Sequence, residues 1–135
     1  MKSFLENHQK TIFSLIRICI GILMNYHGYE VFNDKLLIEY SQWEQFKNYS
    51  NPKLLVTIGK AIEFICGLLL ALGFYTRIGA FLLVISMLFI VFFIGNGQFW
   101  YSDQHPFLLL LFGLLFLFYG SGPLSLDFIL NVKKQ

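Results

Sequence analysis

Three ionisable residues lie inside otherwise apolar stretches of this sequence: Arg17, Lys60 and Glu63. A charged side chain at the centre of a membrane helix costs on the order of 2.5–3.5 kcal/mol on insertion scales, so such residues usually face protein and pair. Lys60 and Glu63 are three residues apart, a spacing that permits an ion pair along one helix. The estimated depths of Arg17 and Glu63 also permit a pair between two helices. The three residues are candidates for a ligand site or proton relay, or for a buried ion pair that fixes helix register.

Small and polar residues recur at helical spacing on the same two segments. They are Ser14, Arg17, Gly21, Asn25 and Gly28 in the first segment, and Gly59, Glu63, Gly67 and Ala71 in the second. Small residues at this spacing let helix backbones approach closely, so we expect these two faces to pack together. Asn25 on this face and His27 near the end of the first segment join the candidate ligand-binding or relay residues.

The other reactive side chains lack a recognisable site spacing. His27 and His105 are expected at one rim of the fold, but their spacing matches no metal motif, and no metal site is predicted. Cys19 and Cys66 fall at similar depths, yet the chain has no C-x-x-C motif and both residues lie off the charged face. We therefore expect small buried apolar residues rather than a redox disulfide, which would need Cα atoms within ~7 Å.

Four apolar stretches must position these residues, at about 11–28, 54–74, 78–94 and 104–120. A spanning helix needs ~20 residues, and the fourth stretch reaches this length only with its polar flanks. The long connection 29–53 carries Leu36, Tyr40, Trp43 and Phe46 at helical spacing, which predicts a short amphipathic helix on the membrane surface. The predicted fold is an all-α, integral membrane four-helix bundle that forms a single domain over 1–135.

The composition indicates that this chain folds in a lipid bilayer. Of 135 residues, 56% are hydrophobic and 13% charged, against about 25% charged in soluble domains. This excludes a soluble globular enzyme, a disordered chain and a disulfide scaffold. The net charge of +2 argues against a nucleic-acid partner.

The distribution of Lys and Arg predicts that both termini are cytoplasmic, because cytoplasmic loops carry an excess of these residues. The side that contains the termini holds five of them, Lys2, Lys10, Arg77, Lys133 and Lys134. The opposite side holds three, Lys35, Lys47 and Lys53.

The chain resembles the DoxX family in the order and spacing of several short segments across roughly residues 12–127. The segments are Arg17–Gly21 with His27–Gly28, Gly59–Glu63 with Gly67, Leu72–Arg77, Met87, His105–Leu108 and Gly120–Asp127. The last of these is the most specific, a turn with Gly and Pro that runs into Ser-Leu-Asp. One departure is that Tyr29–Phe32 stands where family members often carry a Lys shortly after the His-Gly pair.

The resemblance implies a small multi-pass protein of the bacterial inner membrane. Family relatives include a membrane subunit of a thiosulfate:quinone oxidoreductase and proteins linked to thiol and oxidative-stress handling. The cofactor this suggests is a quinone, and the partner a membrane or soluble redox protein. The family's polar positions correspond here to Arg17, His27, Glu63, Arg77 and Asp127. We expect Arg77 and Asp127 to pair at the inner face, or Ser125 or Asp127 to cap the last short helix.

Two functions from different classes follow. In the first, the chain is a quinone- or thiol-linked redox component of the membrane, with Arg17, Lys60 and Glu63 as its buried polar site. Both a subunit of a membrane oxidoreductase and a protein without enzymatic activity of its own fit this function. In the second, it is a non-catalytic membrane scaffold or assembly partner whose buried charges only fix helix packing. A third reading, a small-solute or lipid carrier, would require a homo-oligomer, because four short helices leave little room for a pore. The substrate and the redox partner are not encoded in any motif.

Overall fold

The computed structural model describes the backbone of residues 2–130, and side chains from His8 onward; Lys133 and Lys134, used above for orientation, lie outside the described residues. Over this range every regular element is a helix. The helices are α1 (Lys2–Gly28), α2 (Asp34–Ser41), α3 (Pro52–Leu72), α4 (Thr76–Phe89), α5 (Gln104–Tyr119) and α6 (Leu126–Ile129). Short 3₁₀ turns cover Tyr29–Phe32 and Glu44–Phe46, and a π turn, Ile90–Ile94, extends α4.

The helix ends follow ordinary capping chemistry. The Asn51 side chain accepts from Leu54 N, and Pro52 occupies the first turn of α3, where a missing N–H costs nothing. At the other end Gly73 adopts a left-handed conformation (φ 63°) that closes the helix, as glycine does at many helix C-termini. Ser125 caps α6 by accepting from Phe128 N at 3.1 Å, which confirms one of the two expected caps.

Four helices share one apolar core. It contains Ile20 and Met24 of α1, Cys66 and Leu70 of α3, Ala80, Leu83 and Met87 of α4, and Leu109, Leu110 and Phe116 of α5. The most extensive contacts are those of α1 with α3, α4 with α5, and α3 with α4. Two ends can be distinguished: the tail end, with residues 73–75 and 120–130, and the loop end, with residues 29–51 and 95–103.

Three helical segments are long and apolar enough to cross a membrane: His8–Phe32, Pro52–Leu72 and Thr76–Ile94. The fourth, Gln104–Tyr119, has only 16 residues. Large apolar side chains point outward from the helices, for example Phe92, Phe93 and Phe118, as expected for contact with lipid. The protein is therefore an all-helical membrane protein with three long apolar helices, and a fourth span stays a prediction.

The helix in the long connection is shorter than its periodicity predicts. It ends at Ser41, because Trp43 takes an extended conformation that interrupts the helix before Phe46. Leu37, rather than Leu36, is its buried residue, and it packs with Phe46 and Val56 in a second small core. The predicted short helix is therefore present as Asp34–Ser41, but Trp43 and Phe46 lie beyond its end, and Phe46 reaches the core from a separate 3₁₀ turn.

The faces of small residues on α1 and α3 do pack together. A Cβ added at Gly21 would lie 2.3 Å from Ala71 N, and one at Gly28 would lie 2.2 Å from Phe64 N. A Cβ at Gly67 would lie 2.6 Å from Asn25 N. These three pairings define an antiparallel register in which the two backbones touch, as expected for small-residue helix interfaces in membranes.

This contact predicts opposite effects for two glycines of one helix. Gly67→Ala should destabilise the protein by about 1–3 kcal/mol, because its Cβ meets the α1 backbone, which has no room to move. Gly59→Ala, where nothing lies within 4 Å, is the matched control and should be neutral or stabilising by up to about 1 kcal/mol. Thermal unfolding in detergent measures both. Equal melting temperatures for the two variants would contradict the packing described.

Candidate functional site

Arg17 is fully buried, and its guanidinium donates hydrogen bonds to main-chain carbonyl oxygens. Its Nε donates to Ser121 O at 3.0 Å, and its two terminal nitrogens donate to Leu70 O and Leu124 O. A weaker contact of 3.4 Å joins it to Ala71 O. Leu70 and Ala71 lie in the last turn of α3, where the helix dipole is negative, and Leu70 O also accepts from Gly73 N at 3.2 Å. Arg17 therefore binds the end of α3 to the turn that follows α5.

The expected pair between Arg17 and Glu63 is not formed. In the register of α1 and α3, Arg17 lies level with position 75, beyond the last turn of α3, whereas Glu63 lies level with position 29. Twelve residues of helix, roughly 18 Å, separate the two levels. The expectation assumed that α1 begins near Thr11, but it begins at Lys2 and its apolar part is shifted along α3.

Asp127 organises the tail end together with Arg17. Its carboxylate accepts from Tyr75 N at 2.8 Å and from Thr76 N and Oγ1 at 3.0 and 2.9 Å, and so caps the start of α4. Tyr75 needs this support, since it is a non-glycine residue with positive φ (45°), a conformation that costs roughly 1–2 kcal/mol. Asp127 N returns a hydrogen bond to Gly73 O at 2.9 Å. The expected contact of Arg77 with Asp127 stays a prediction.

A continuous polar chain runs inward from the loop end. Tyr40 Oη donates to Glu30 Oε2 at 3.1 Å, Lys60 Nζ lies 2.8 Å from the same oxygen, and Lys60 Nζ also lies 3.0 Å from Glu63 Oε2. The predicted local pair of Lys60 and Glu63 is thus confirmed, with Glu30 as an additional partner. The exposed fraction of the side chains falls from 24% at Glu30 to 17% at Lys60 and 8% at Glu63.

Tyr40 is held in this chain from two sides. Its hydroxyl binds Glu30, and Lys60 Nζ lies 5.3 Å from the centre of its ring, within cation–π range. Burial, and after it the negative charge of Glu30, raises the pKa of the Tyr40 phenol above its usual range. The phenol therefore keeps its proton and donates a hydrogen bond to Glu30.

A cavity of about 160 Å³ opens beside Lys60 and Glu63. Its remaining lining is His27 and His105, whose ring centres are 5.8 Å apart, and Met24, Met87, Ile90, Pro106 and Leu109. A cavity of about 150 Å³ in another protein holds benzene, so this volume suits one six-membered ring. The site thus combines a charged pair, two imidazoles and an apolar wall.

Irregular backbone next to the cavity shapes this end of α4. In the π turn, Gly95 N donates to Ile90 O at 2.7 Å, and π turns inside helices are frequent at functional sites. The Asp103 carboxylate accepts from Asn96 N, Gln98 N and Ser102 Oγ at 3.0, 2.9 and 3.3 Å. This buried residue fixes the loop that leads to His105 and Pro106.

The remaining candidates lie outside the cavity lining. Asn25 is in the contact between α1 and α3, where its Oδ1 is buried without a hydrogen-bond partner. Cys66 is buried and its Sγ donates to Glu63 O at 3.2 Å, whereas Cys19 is exposed, so the expectation of a buried residue holds for Cys66 and is wrong for Cys19. Both thiols are free. No group of three or more His, Cys, Asp or Glu side chains in the described residues could hold a metal ion.

The structure therefore places five of the seven predicted site residues, all except Asn25 and Arg77, in two separate groups. Lys60, Glu63 and His27 lie together at the loop end, and Arg17 and Asp127 lie at the tail end. Sequence reasoning did not include Glu30 and Tyr40 among the site residues. Their signals were weak: Glu30 follows His27 at helical spacing, and Tyr40 lies on the predicted amphipathic helix.

This geometry defines an all-helical membrane protein with a largely apolar cavity that has a charged pair and two imidazoles in its wall. The DoxX family model matches residues 12–96, and the chain belongs to the DoxX family. An uncharacterized protein of Haemophilus influenzae is 31% identical over 130 residues, which cover 91% of this chain and 93% of that protein. No solved structure matches this chain.

The role of Arg17 predicts that even a conservative change disrupts the fold. Lysine keeps the charge but lacks the planar set of donors that reaches Ser121, Leu70 and Leu124 together. Arg17→Lys should therefore cost at least about 3 kcal/mol, because the buried positive charge loses most of its hydrogen bonds and the buried Ser121 carbonyl loses this donor. The readout is the yield of monodisperse protein and its melting temperature in mild detergent, with Glu63→Gln as the variant expected to remain folded. An Arg17→Lys protein as stable as the native one would refute the assignment.

Proposed function

We propose that this DoxX-family protein is a redox-associated component of the bacterial inner membrane that binds the head group of a quinone in the cavity beside Lys60 and Glu63. The observation that carries the proposal is a charged pair at the wall of an otherwise largely apolar cavity that has room for one ring. Intramembrane charges of this kind mark ligand or proton sites.

The lining matches the chemistry of a quinone head group. Its two carbonyl oxygens accept hydrogen bonds, and Lys60 Nζ and the imidazoles of His27 and His105 supply donors at the cavity. Its ring faces are apolar and suit Met24, Met87, Ile90 and Leu109, and an isoprenoid tail belongs in the bilayer. When bound, a quinone supplies two-electron, two-proton redox chemistry; the residues of this chain bind the head group and handle protons.

The polar chain gives the cavity a route for protons. At the cavity, Glu63 Oε2 lies 3.0 Å from Lys60 Nζ, which in turn lies 2.8 Å from Glu30 Oε2. The Tyr40 hydroxyl, 3.1 Å from the same Glu30 oxygen, extends this chain outward. Each contact is within hydrogen-bonding distance, and exposure increases outward along the three charged residues. We assign these residues to proton exchange between the cavity and the loop end.

The proposal also includes the topology of the chain in the membrane and the partner with which it exchanges electrons. The four apolar helices cross the bilayer as a single domain, with both termini in the cytoplasm, and electrons pass to or from a redox partner protein. A quinone fits the site better than a thiol does, because neither cysteine lines the cavity. We do not assign Arg17 to the ligand site, because its donors are already bonded to carbonyls at the tail end.

A scaffold without catalytic function remains the alternative. It needs the buried charges only for packing and makes no use of the cavity. The two functions differ in what neutral substitutions at Glu63 do: a scaffold loses folded protein or its partner, whereas a quinone site loses ligand and keeps the fold.

The test compares two glutamates that each pair with a lysine three residues away. Glu63→Gln should weaken binding of a decyl-chain benzoquinone by about 10–100-fold, because Glu63 holds the Lys60 ammonium that donates to a quinone carbonyl, and a charged hydrogen bond contributes about 1.5–3 kcal/mol. Glu44→Gln, in the exposed Lys47–Glu44 pair, is the matched control and should bind as the native protein does. Isothermal titration calorimetry in detergent gives the dissociation constants. Equal constants for native protein and a folded Glu63→Gln would refute the proposed site.

A further inference from the structure

Soft metal ligands are concentrated in the same cavity. Two of the chain's three methionines, Met24 and Met87, line it, and so do two of its three histidines, His27 and His105. Three separate helices supply them: α1 carries Met24 and His27, α4 carries Met87, and α5 carries His105. Both methionines are almost fully buried, with exposed fractions of 1% and 2%. Packing alone does not explain why the imidazoles lie with them.

The spacing of the two imidazoles suits a shared metal ion. Two rings that bind one ion through one nitrogen each have centres about 5–6 Å apart, since a metal–nitrogen bond is about 2.0–2.1 Å and the ring centre lies about 1 Å further. The ring centres of His27 and His105 are 5.8 Å apart, with an angle of 66° between the ring planes.

The ligand types select the ion. Thioethers are soft ligands and favour Cu(I), and imidazole also binds copper, whereas Mg²⁺ and Ca²⁺ prefer oxygen. The charge is also favourable: Lys60 is bonded to both Glu30 and Glu63, so the three groups together carry one negative charge and do not repel a cation. We propose that His27, His105, Met24 and Met87 form a binding site for a cuprous ion.

This site goes beyond the proposed function; it occupies the same cavity as the proposed quinone head group, so the two ligands compete, and the test of the metal site uses no quinone. The full chain, in detergent and under reducing, anaerobic conditions, is titrated with Cu(I) in competition with the chromogenic chelator bicinchoninate. A Cys19→Ser, Cys66→Ala background removes the two thiols as alternative ligands. We expect one Cu(I) per chain and, by X-ray absorption, both nitrogen and sulfur neighbours of the metal.

Substitutions in this background decide the assignment. Met87→Leu conserves volume and should keep the fold, while lowering the affinity for Cu(I) at least tenfold. His105→Gln should do the same. His8→Gln, which changes the third histidine outside the cavity, is the control and should leave the affinity unchanged. Affinity unaffected by Met87→Leu and by His105→Gln, a metal spectrum without sulfur, or tighter binding of Zn²⁺ than of Cu(I) would each overturn the proposal. Loss of quinone binding by Glu63→Gln does not bear on it.

Discussion

The structure depends on the hydrogen bonds that one buried guanidinium, that of Arg17, donates to the main chain. Arg17 lies at the tail end, where Asp127 supplies the nearby negative charge, and its donors bind main-chain carbonyls in the last turn of α3 and where the chain turns after α5. Loss of the Arg17 donor at the buried Ser121 carbonyl costs about 1–3 kcal/mol. A single guanidinium therefore donates to two segments and holds the last turn of the chain against α1 and α3.

The same contact leaves the other charges available for chemistry. Because Arg17 is held at the tail end, Lys60 and Glu63 are compensated by Glu30 and by each other at the loop end. The glycine contact between α1 and α3 sets this separation, since it fixes which residues of the two helices are level. One end of the bundle is thus stabilised by polar contacts, while the other holds polar groups beside a cavity.

The sequence predicts the helices better than it predicts their pairing. Periodicity and capping residues place α3 and α4 within a few residues of their ends, and the local pair of Lys60 and Glu63 follows from a spacing of three. The partner of Arg17 could not be predicted in the same way, because an offset between two helices depends on tertiary packing. Glu30 joins Lys60 for the same reason, since the short 3₁₀ turn after α1 turns it back toward α3.

The central claim is that the cavity beside Lys60 and Glu63 holds a quinone head group in the membrane. The most direct measurement is mass spectrometry of small molecules that co-purify with the native protein and with Glu63→Gln in mild detergent. The account predicts about one quinone per native chain and much less in the variant, at equal lipid content. A native protein without quinone, or equal amounts in both proteins, would contradict it.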